Sequence, residues 1–386
     1  MSSRISSQHT LLQSIELKLN QPTVSKKTLG KLAEKIQDVR QGRQCSKQEM
    51  MAIRMQARQR GEQWAKDTIT KKAVTTLEQA LRKVSTDKPT AARAQMQQLL
   101  QRNLVDIGLQ RAKHNLKTNV EPATIDNVID ENLMSAMVSA EKTRRPQLEL
   151  NVFNDTDSLA KFAATRNGPY RGQAVVRMGR DRAKAGPDGD TGHFAAVDMR
   201  IDKNGARFLI VYESAQLQGT NQAGVDFGKQ SLLSALQARG NAGAQGVQVG
   251  FVEMGAQKSS NDCAIFSLNT AVRCSKQPEV SARIIDAMKA HTSKQLISFY
   301  DATASRFVKN PESKLELQLP ASFHKHDHSM NSIKALDPVP VNRKNESVQG
   351  RAQRHKVQRE GHTFSNSIEH KRVVYYERAS KQLNGE

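Results

Sequence analysis

Hydrophobic positions along this chain repeat with two different periods, and the change falls near Pro146. Between about residues 27 and 119 they recur at helical spacing: Met51, Ile53 and Met55, then Leu77, Ala80 and Leu81, then Leu99, Leu100, Leu104, Ile107 and Leu109. Gln, Lys, Arg and Ala dominate this stretch. Pro89 separates two of its segments, with Thr86 and Asp87 as candidate caps, and a further helix is expected over 125–142, stopped by Pro146. No repeat of solenoid length is present.

Beyond Pro146, short β-branched and aromatic runs alternate with turn signals. LELNVF (148–153), AVVRM (174–178), HFAAVDMRI (193–201), RFLIVYE (207–213) and VQVGFVEM (247–254) read as strands. Helices are expected at 229–238, 262–274, 280–291 and 292–299. Asp202-Lys203-Asn204-Gly205 is a hairpin turn between the third and fourth runs. Strands followed by helices, with one nearly continuous apolar strand (FLIVY), indicate an α/β or α+β domain with a central sheet. GNAGAQG (240–246) matches neither a P-loop nor a dinucleotide fingerprint and reads as a flexible loop before Val247. The polar tail ends in a helix-like EHKRVVYYERASKQL.

Charge adds a partner to this picture. The 386 residues include 59 Lys+Arg and 38 Asp+Glu, a net charge of +21, with 4% aromatics. Residues 1–120 hold 23 basic and 9 acidic residues (+14), 121–300 hold 21 and 19 (+2), and 301–386 hold 15 and 10 (+5). An excess of this size implies a polyanion: nucleic acid, a phosphoinositide surface or a phosphate-rich small molecule. The length fits about two domains. No run of about 18 apolar residues exists, so no transmembrane helix is expected. Three cysteines (Cys45, Cys263, Cys274) exclude a disulfide scaffold and suggest a reducing compartment or a reactive thiol. The opening MSSRISSQHT lacks the apolar core of a secretory signal peptide, and Ser2 excludes N-myristoylation. It reads as a disordered leader or as a translocation signal of another kind.

Candidate chemistry centres on Cys263. It precedes AIFSLNTAV, whose apolar positions suit a buried helix, and Ser260 or Asn261 is a suitable N-cap. A thiol in a first helical turn is acidified by the dipole and the unpaired amides, although a lone cysteine is more often a small buried apolar residue. His193 opens a strand and Glu213 closes the next one, where a carboxylate needs a partner. Hairpin strands bring these two ends together. A cysteine, a histidine and an orienting carboxylate form the thiol version of a catalytic triad. Gln257, in the loop before Cys263, can supply an oxyanion donor with the Cys263 backbone N–H.

The order His193, Glu213, Gln257, Cys263, with separations of 20, 44 and 6, resembles the SUMO-protease-like clan of cysteine peptidases. The blocks HFAAVDMRI, FLIVYESA, VEMGAQKSSNDCAIFSLNTA and LPASFHKHDHS resemble the YopJ family of bacterial type III effectors over roughly residues 150–380. VNRKNES and SIEHKRVVYYE in the tail match in character. The resemblance implies an α+β fold, with a central mixed sheet flanked by helices, an N-terminal basic helical region and a C-terminal regulatory segment. It divides the chain into a disordered secretion leader (1–25), a basic helical regulatory region (26–146), a catalytic core (147–300) and a cofactor and regulatory segment (301–386).

The same resemblance implies an acetyltransferase that uses acetyl-CoA and is activated by inositol hexakisphosphate. Cys263 takes the acetyl group with His193 as base, Glu213 orienting it and Gln257 holding the oxyanion. Acetyl then passes to Ser, Thr or Lys of host signalling or immune proteins, after delivery by a type III system. Lys258, Ser259 and Ser260 resemble the CoA-contact segment, and Lys325 matches a lysine tied to autoacetylation and the cofactor site, with Ser322 beside it. His326, Arg343, Lys344, Lys371 and Arg372 match the basic regulatory end that takes the inositol phosphate. Each is otherwise a solvated charge or an ordinary polar residue.

His324, His326 and His328 alternate as on one face of a strand, yet no Cys/His spacing elsewhere supports a metal site, and none is expected. Cys45 and Cys274 read as passive thiols and Trp64 as helix packing. Two rivals remain: a cysteine protease acting on ubiquitin-like conjugates, and a non-enzymatic basic adaptor binding nucleic acid or membrane. The adaptor is disfavoured by the scarcity of aromatics, and no nucleic-acid partner is expected.

Overall fold

The computed structural model describes residues 10–85, 90–178, 192–215, 231–238, 247–290, 297–301, 306–307, 319–334, 336 and 338–386. Two compact units make up the chain: Met1–Arg111 with Tyr376–Glu386, and Ala112–Tyr375.

The first unit is helical: α1 (Leu11–Glu16), α2 (Lys26–Arg40), α3 (Lys47–Arg60), α4 (Glu62–Val84) and most of α5 (Ala91–Thr118). Thr10, Ser25 and Ser46 cap the first three helices through their hydroxyls, and Gln13 and Glu49 complete capping boxes at α1 and α3. Gly61, at φ 88°, lets α4 begin directly after α3. Leu32, Ile36, Val74, Leu77, Leu81, Leu100 and Leu104 are buried, as are Leu11 and Ile15 of α1. Part of the expected disordered leader is therefore ordered, because a capped turn presents two apolar side chains on one face. Of α3, only Ile53 is buried; Met51 and Met55 are exposed. Pro89 and the caps expected at Thr86 and Asp87 lie outside the described residues, and Thr90 accepts from Arg93 N–H at the start of α5.

The second unit follows with α6 (Thr124–Thr143), β1 (Leu150–Phe153), α7 (Thr156–Thr165), β2 (Tyr170–Met178), β3 (His193–Ile201) and β4 (Arg207–Glu213). Helix α8 covers 231–238, and β5 (Val247–Glu253), α9 (Cys263–Lys276), α10 (Pro278–Lys289), β6 (Ile297–Asp301) and β7 (Arg306–Phe307) come next. After the 3-10 turn Ala321–His324 the segment contains α11 (Met330–Lys334), α12 (Val348–Arg354), a β8 (Lys356–Arg359)–β9 (His362–Ser365) hairpin and the start of α13 (Ser367–Asn384), whose residues from Tyr376 onward belong to the first unit.

Strands β1 to β7 lie side by side in chain order. The β1–β2 and β4–β5 pairs are parallel and the other neighbours antiparallel, giving the mixed sheet of an α+β fold. Strands β3 and β4 keep the limits expected from sequence because their apolar runs end at turn residues. In that turn the Asp202 carboxylate accepts from the N–H groups of Asn204 and Ala206, and Gly205 takes φ 81°. Helix α9 is buried from Cys263 to Val272, the polar Ser267, Asn269 and Thr270 included. Helix α6, which sequence placed with the basic region, belongs to the sheet-containing unit.

Two elements depart from the sequence reading. Residues 292–299 were expected to be helical, but Ile297–Asp301 forms β6 against β5. The edge of β5 offers unpaired backbone groups, and Ile297, Phe299 and Tyr300 suit a strand. His324, His326 and His328 lie in a 3-10 turn and the loop after it, not along a strand. Residues 240–246, read as a flexible loop, lie outside the described residues.

Candidate active site

The β3–β4 hairpin runs antiparallel, so the first residue of β3 returns beside the last of β4. His193 Nε2 lies 2.6 Å from Glu213 Oε2. The other Glu213 oxygen accepts from Ala215 N–H at 2.9 Å, fixing a carboxylate that is only 3% exposed. Burial alone would lower His193; the Glu213 charge and hydrogen bonds with Cys263 and Glu213 outweigh it and hold the ring well above its ordinary 6.5. With Nε2 on Glu213, Nδ1 is the ring nitrogen left for the thiol.

Cys263 is the first residue of α9, and its N-cap is Asp262 rather than the expected Ser260 or Asn261. The reason lies in the side chains. Asn261 donates to Pro122 O at 2.9 Å and Ser260 is exposed, while Asp262 is fully buried, accepts from the Ser259 hydroxyl and pairs with Arg372 at 2.9 Å. Cys263 Sγ lies 3.7 Å from Asn127 Oδ1 on α6 and 4.0 Å from Gly192 O. A Cβ on Gly192 would stand 2.1 Å from Arg177 Nε, and Arg177 is buried and paired with Glu131 at 3.2 Å. Sequence reasoning missed Asn127 and Gly192.

Gln257 is buried on the loop between β5 and α9. Its N–H donates to Ser214 O, its Oε1 accepts from the Ser214 hydroxyl at 2.8 Å, and its Nε2 donates to Ser259 O at 2.6 Å. One Nε2 hydrogen is left for another acceptor. The loop is thereby locked to the residue that follows Glu213.

The other singled-out residues separate into four places. Lys258 lines an open groove of about 780 Å³ with Met330, Lys334, Lys356, His362 and Phe364, while Ser259 lies in a small adjoining recess and Ser260 faces solvent. Lys325 lies in a cationic cluster: burial first, then Arg351, Arg273 and Lys276, push its amine down to about 8. Buried His326, bonded to Ser367 Oγ at 2.7 Å, is pushed well below 6.5 by burial and then by Arg351, Lys371 and Lys325. Lys371 lies near this cluster with its Nζ 4.2 Å over the Tyr375 ring, and Ser322 donates to Gln277 Oε1. Arg343 and Lys344 occupy an exposed turn, and neither is among the contacts given for His193, Glu213 and Cys263. Arg372, matched with the inositol phosphate end, is 2% exposed, bonded to Asp130 and Asn261 O and ion-paired with Asp262.

A model of the family described as YopJ Serine/Threonine acetyltransferase matches residues 106–378. The chain belongs to the YopJ family. It is 25% identical over 270 residues to the serine/threonine-protein acetyltransferase HopZ1a of Pseudomonas syringae pv. syringae, covering 67% of this chain and 68% of that protein. Identity to the serine/threonine-protein acetyltransferase YopJ of Yersinia pestis is 24% over 259 residues, covering 64% of this chain and 80% of the relative. A solved structure of an AvrA deletion variant with IP6 and CoA is similar in fold, with a TM-score of 0.52, 20% identity, and coverage of 72% of this chain and 98% of that one.

Among the described residues, one buried group satisfies the spacing of a cation site: Asp262, His328 and Glu369 bring ligand atoms within 4.8 Å of one another. Its electrostatics do not fit a cation. Arg359 holds Glu369 through bonds of 2.5 and 2.8 Å, and Arg372 holds Asp262, so guanidinium groups already balance both carboxylates. Among the described residues no helix is long and apolar enough to cross a membrane.

Proposed function

We propose that this chain moves acetyl from acetyl-CoA through Cys263 to a serine, threonine or lysine of host signalling or immune proteins, with inositol hexakisphosphate as activator. The observation that carries the reading is His193 held between Glu213 and Cys263. His193 Nδ1 takes the thiol proton, and the Cys263 thiolate attacks the thioester carbonyl. The Gln257 amide and the Cys263 N–H hold the developing oxyanion. The CoA thiol leaves with the proton from His193, and Cys263 carries the acetyl group. In the second half, His193 deprotonates the acceptor, which attacks the Cys263 thioester and frees the thiol.

The groove at Lys258 supports CoA binding, since Lys258, Lys334 and Lys356 complement phosphates while Met330 and Phe364 offer apolar contact. The cluster of Arg273, Lys276, Lys325 and Arg351 supports the polyanion, because crowded cations lose their mutual repulsion when a phosphate-rich ligand enters. On this reading residues 26–146 and 301–386 regulate the core 147–300, and the N-terminal leader serves export by a type III system.

Labelled acetyl-CoA, offered with and without inositol hexakisphosphate, tests the reading. Label is expected on Cys263 and on acceptor hydroxyls or amines, more with the activator. A Cys263→Ala protein that still labels itself removes the mechanism. No label, accompanied by cleavage of a ubiquitin-like precursor, replaces transfer with proteolysis.

A further inference from the structure

The loop that carries Gln257 and leads into Cys263 is gripped from the C-terminal segment by two side chains with no place in the chemistry above. His328 N–H donates to Ala256 O at 2.9 Å, and Lys258 N–H donates to His328 Nδ1 at 3.1 Å. The Arg372 guanidinium donates to Asn261 O at 2.7 Å and pairs with Asp262 at 2.9 Å. It also bonds Asp130, on the same helix α6 that places Asn127 beside the thiol. These contacts bracket the loop at residues 256, 258, 261 and 262, on both sides of Gln257 and up to the residue before Cys263.

Both grips are buried, with His328 4% and Arg372 2% exposed. The hydrogen bond from Lys258 also fixes the tautomer. Nδ1 acts as acceptor, so the ring proton sits on Nε2, 3.8 Å from Asp262 Oδ2, where no described residue provides a hydrogen bond. The ring remains neutral because burial disfavours its charge. Arg372, reaching two residues of the loop and one of α6, fixes the N-cap of α9 against the helix behind the thiol.

We propose that His328 and Arg372 are positioning residues for acetyl transfer, His328 through its Nδ1 acceptor and Arg372 through its fork, together setting the approach of Gln257 and Cys263 to the reacting carbonyl. This rests on the transfer reading of Cys263. Because the effect lies in placement, it should appear in kcat with little change in stability or acceptor KM.

The test uses full-length His328→Asn, His328→Gln and Arg372→Lys proteins with acetyl-CoA and inositol hexakisphosphate. Iodoacetamide alkylation of Cys263 and thermal melting accompany the turnover measurement. The oxygen of Asn can stand where Nδ1 stood, whereas that of Gln extends toward the Nε2 position. His328→Asn should therefore keep kcat within about threefold, and His328→Gln should lose roughly tenfold to hundredfold at similar melting temperature, as for small misplacements of reacting groups. Arg372→Lys cannot hold all three partners and should slow alkylation severalfold. Equal turnover for Asn and Gln, together with unchanged alkylation in Arg372→Lys, overturns the proposal. If wild type transfers no acetyl but Arg372→Lys still slows alkylation, the transfer reading fails and the positioning of the thiol stands. If Arg372→Lys does not fold, the Asn–Gln contrast decides.

Discussion

Glu213 sets the pH range over which His193 can carry a proton. Its charge is the main force raising the ring above 6.5 against the effect of burial. Replacing Glu213 with Gln removes that charge, so the imidazolium is lost at lower pH. Alkylation of Cys263 followed against pH should show its histidine-dependent limb shifted downward, with acetyl transfer reduced on the order of 10³–10⁴-fold. The pair also links pH to stability: its contribution is complete below the unfolded histidine value of about 6.5 and is lost as pH rises through the higher folded value. Gly192 supplies a steric prediction. An added methyl must displace the Arg177 side chain, so Gly192→Ala should lower stability by about 1–3 kcal/mol in thermal unfolding and slow Cys263 alkylation. The approach of His193 to Glu213 and Cys263 could be read from sequence because the three residues stand at strand and helix ends. Asn127 could not, since 136 residues separate it from Cys263 and no periodicity relates them. The contacts of Arg372, matched in sequence to the inositol phosphate end, were illegible because sequence does not show Asp130 and Asp262 closing on it.

Among the elements, β3 and β4 were legible because alternating and continuous apolar runs stop at a turn with its own chemistry. Asp202 accepts two backbone N–H groups in that turn, at the end of the hairpin away from His193. Asp202→Ala should cost about 1–2 kcal/mol, measured by denaturant unfolding, while turnover per folded molecule stays within about twofold. Strand β6 was illegible for the opposite reason: Ile297-Ser298-Phe299-Tyr300 has no decisive period, and its conformation is set by the neighbouring strand edge. Helix α6 was found but placed with the wrong neighbours. Its buried Ile129, Leu133 and Met137 signal an inner helix without naming what covers it.

At the scale of the whole molecule, charge counted along the chain is a poor map of charge in space. The cluster around Lys325 includes Arg273 and Lys276, which come from the segment whose net charge is only +2. Inositol hexakisphosphate should therefore raise the melting temperature and protect Lys325 from amine acylation near pH 8. Both effects should fade as salt rises, because exposed parts of the cluster are screened. An Arg351→Gln change should weaken both. Without ligand, the unfolded chain holds the additional Lys325 proton between about pH 8 and its ordinary 10.5, so stability from this group rises across that window. The ligand should flatten that rise by favouring the ammonium in the folded state.

The sheet lays its strands side by side in the order in which they are made. Each strand that leaves the ribosome thus finds its neighbour already waiting, and the β3–β4 hairpin needs no later partner to bring His193 to Glu213. Cys263 follows within the same stretch, but His328 and Arg372 are synthesised 65 and 109 residues after it. If those two side chains set the loop, a nascent chain carries Cys263 well before the thiol is in place, and arming it waits for the arrival of α13.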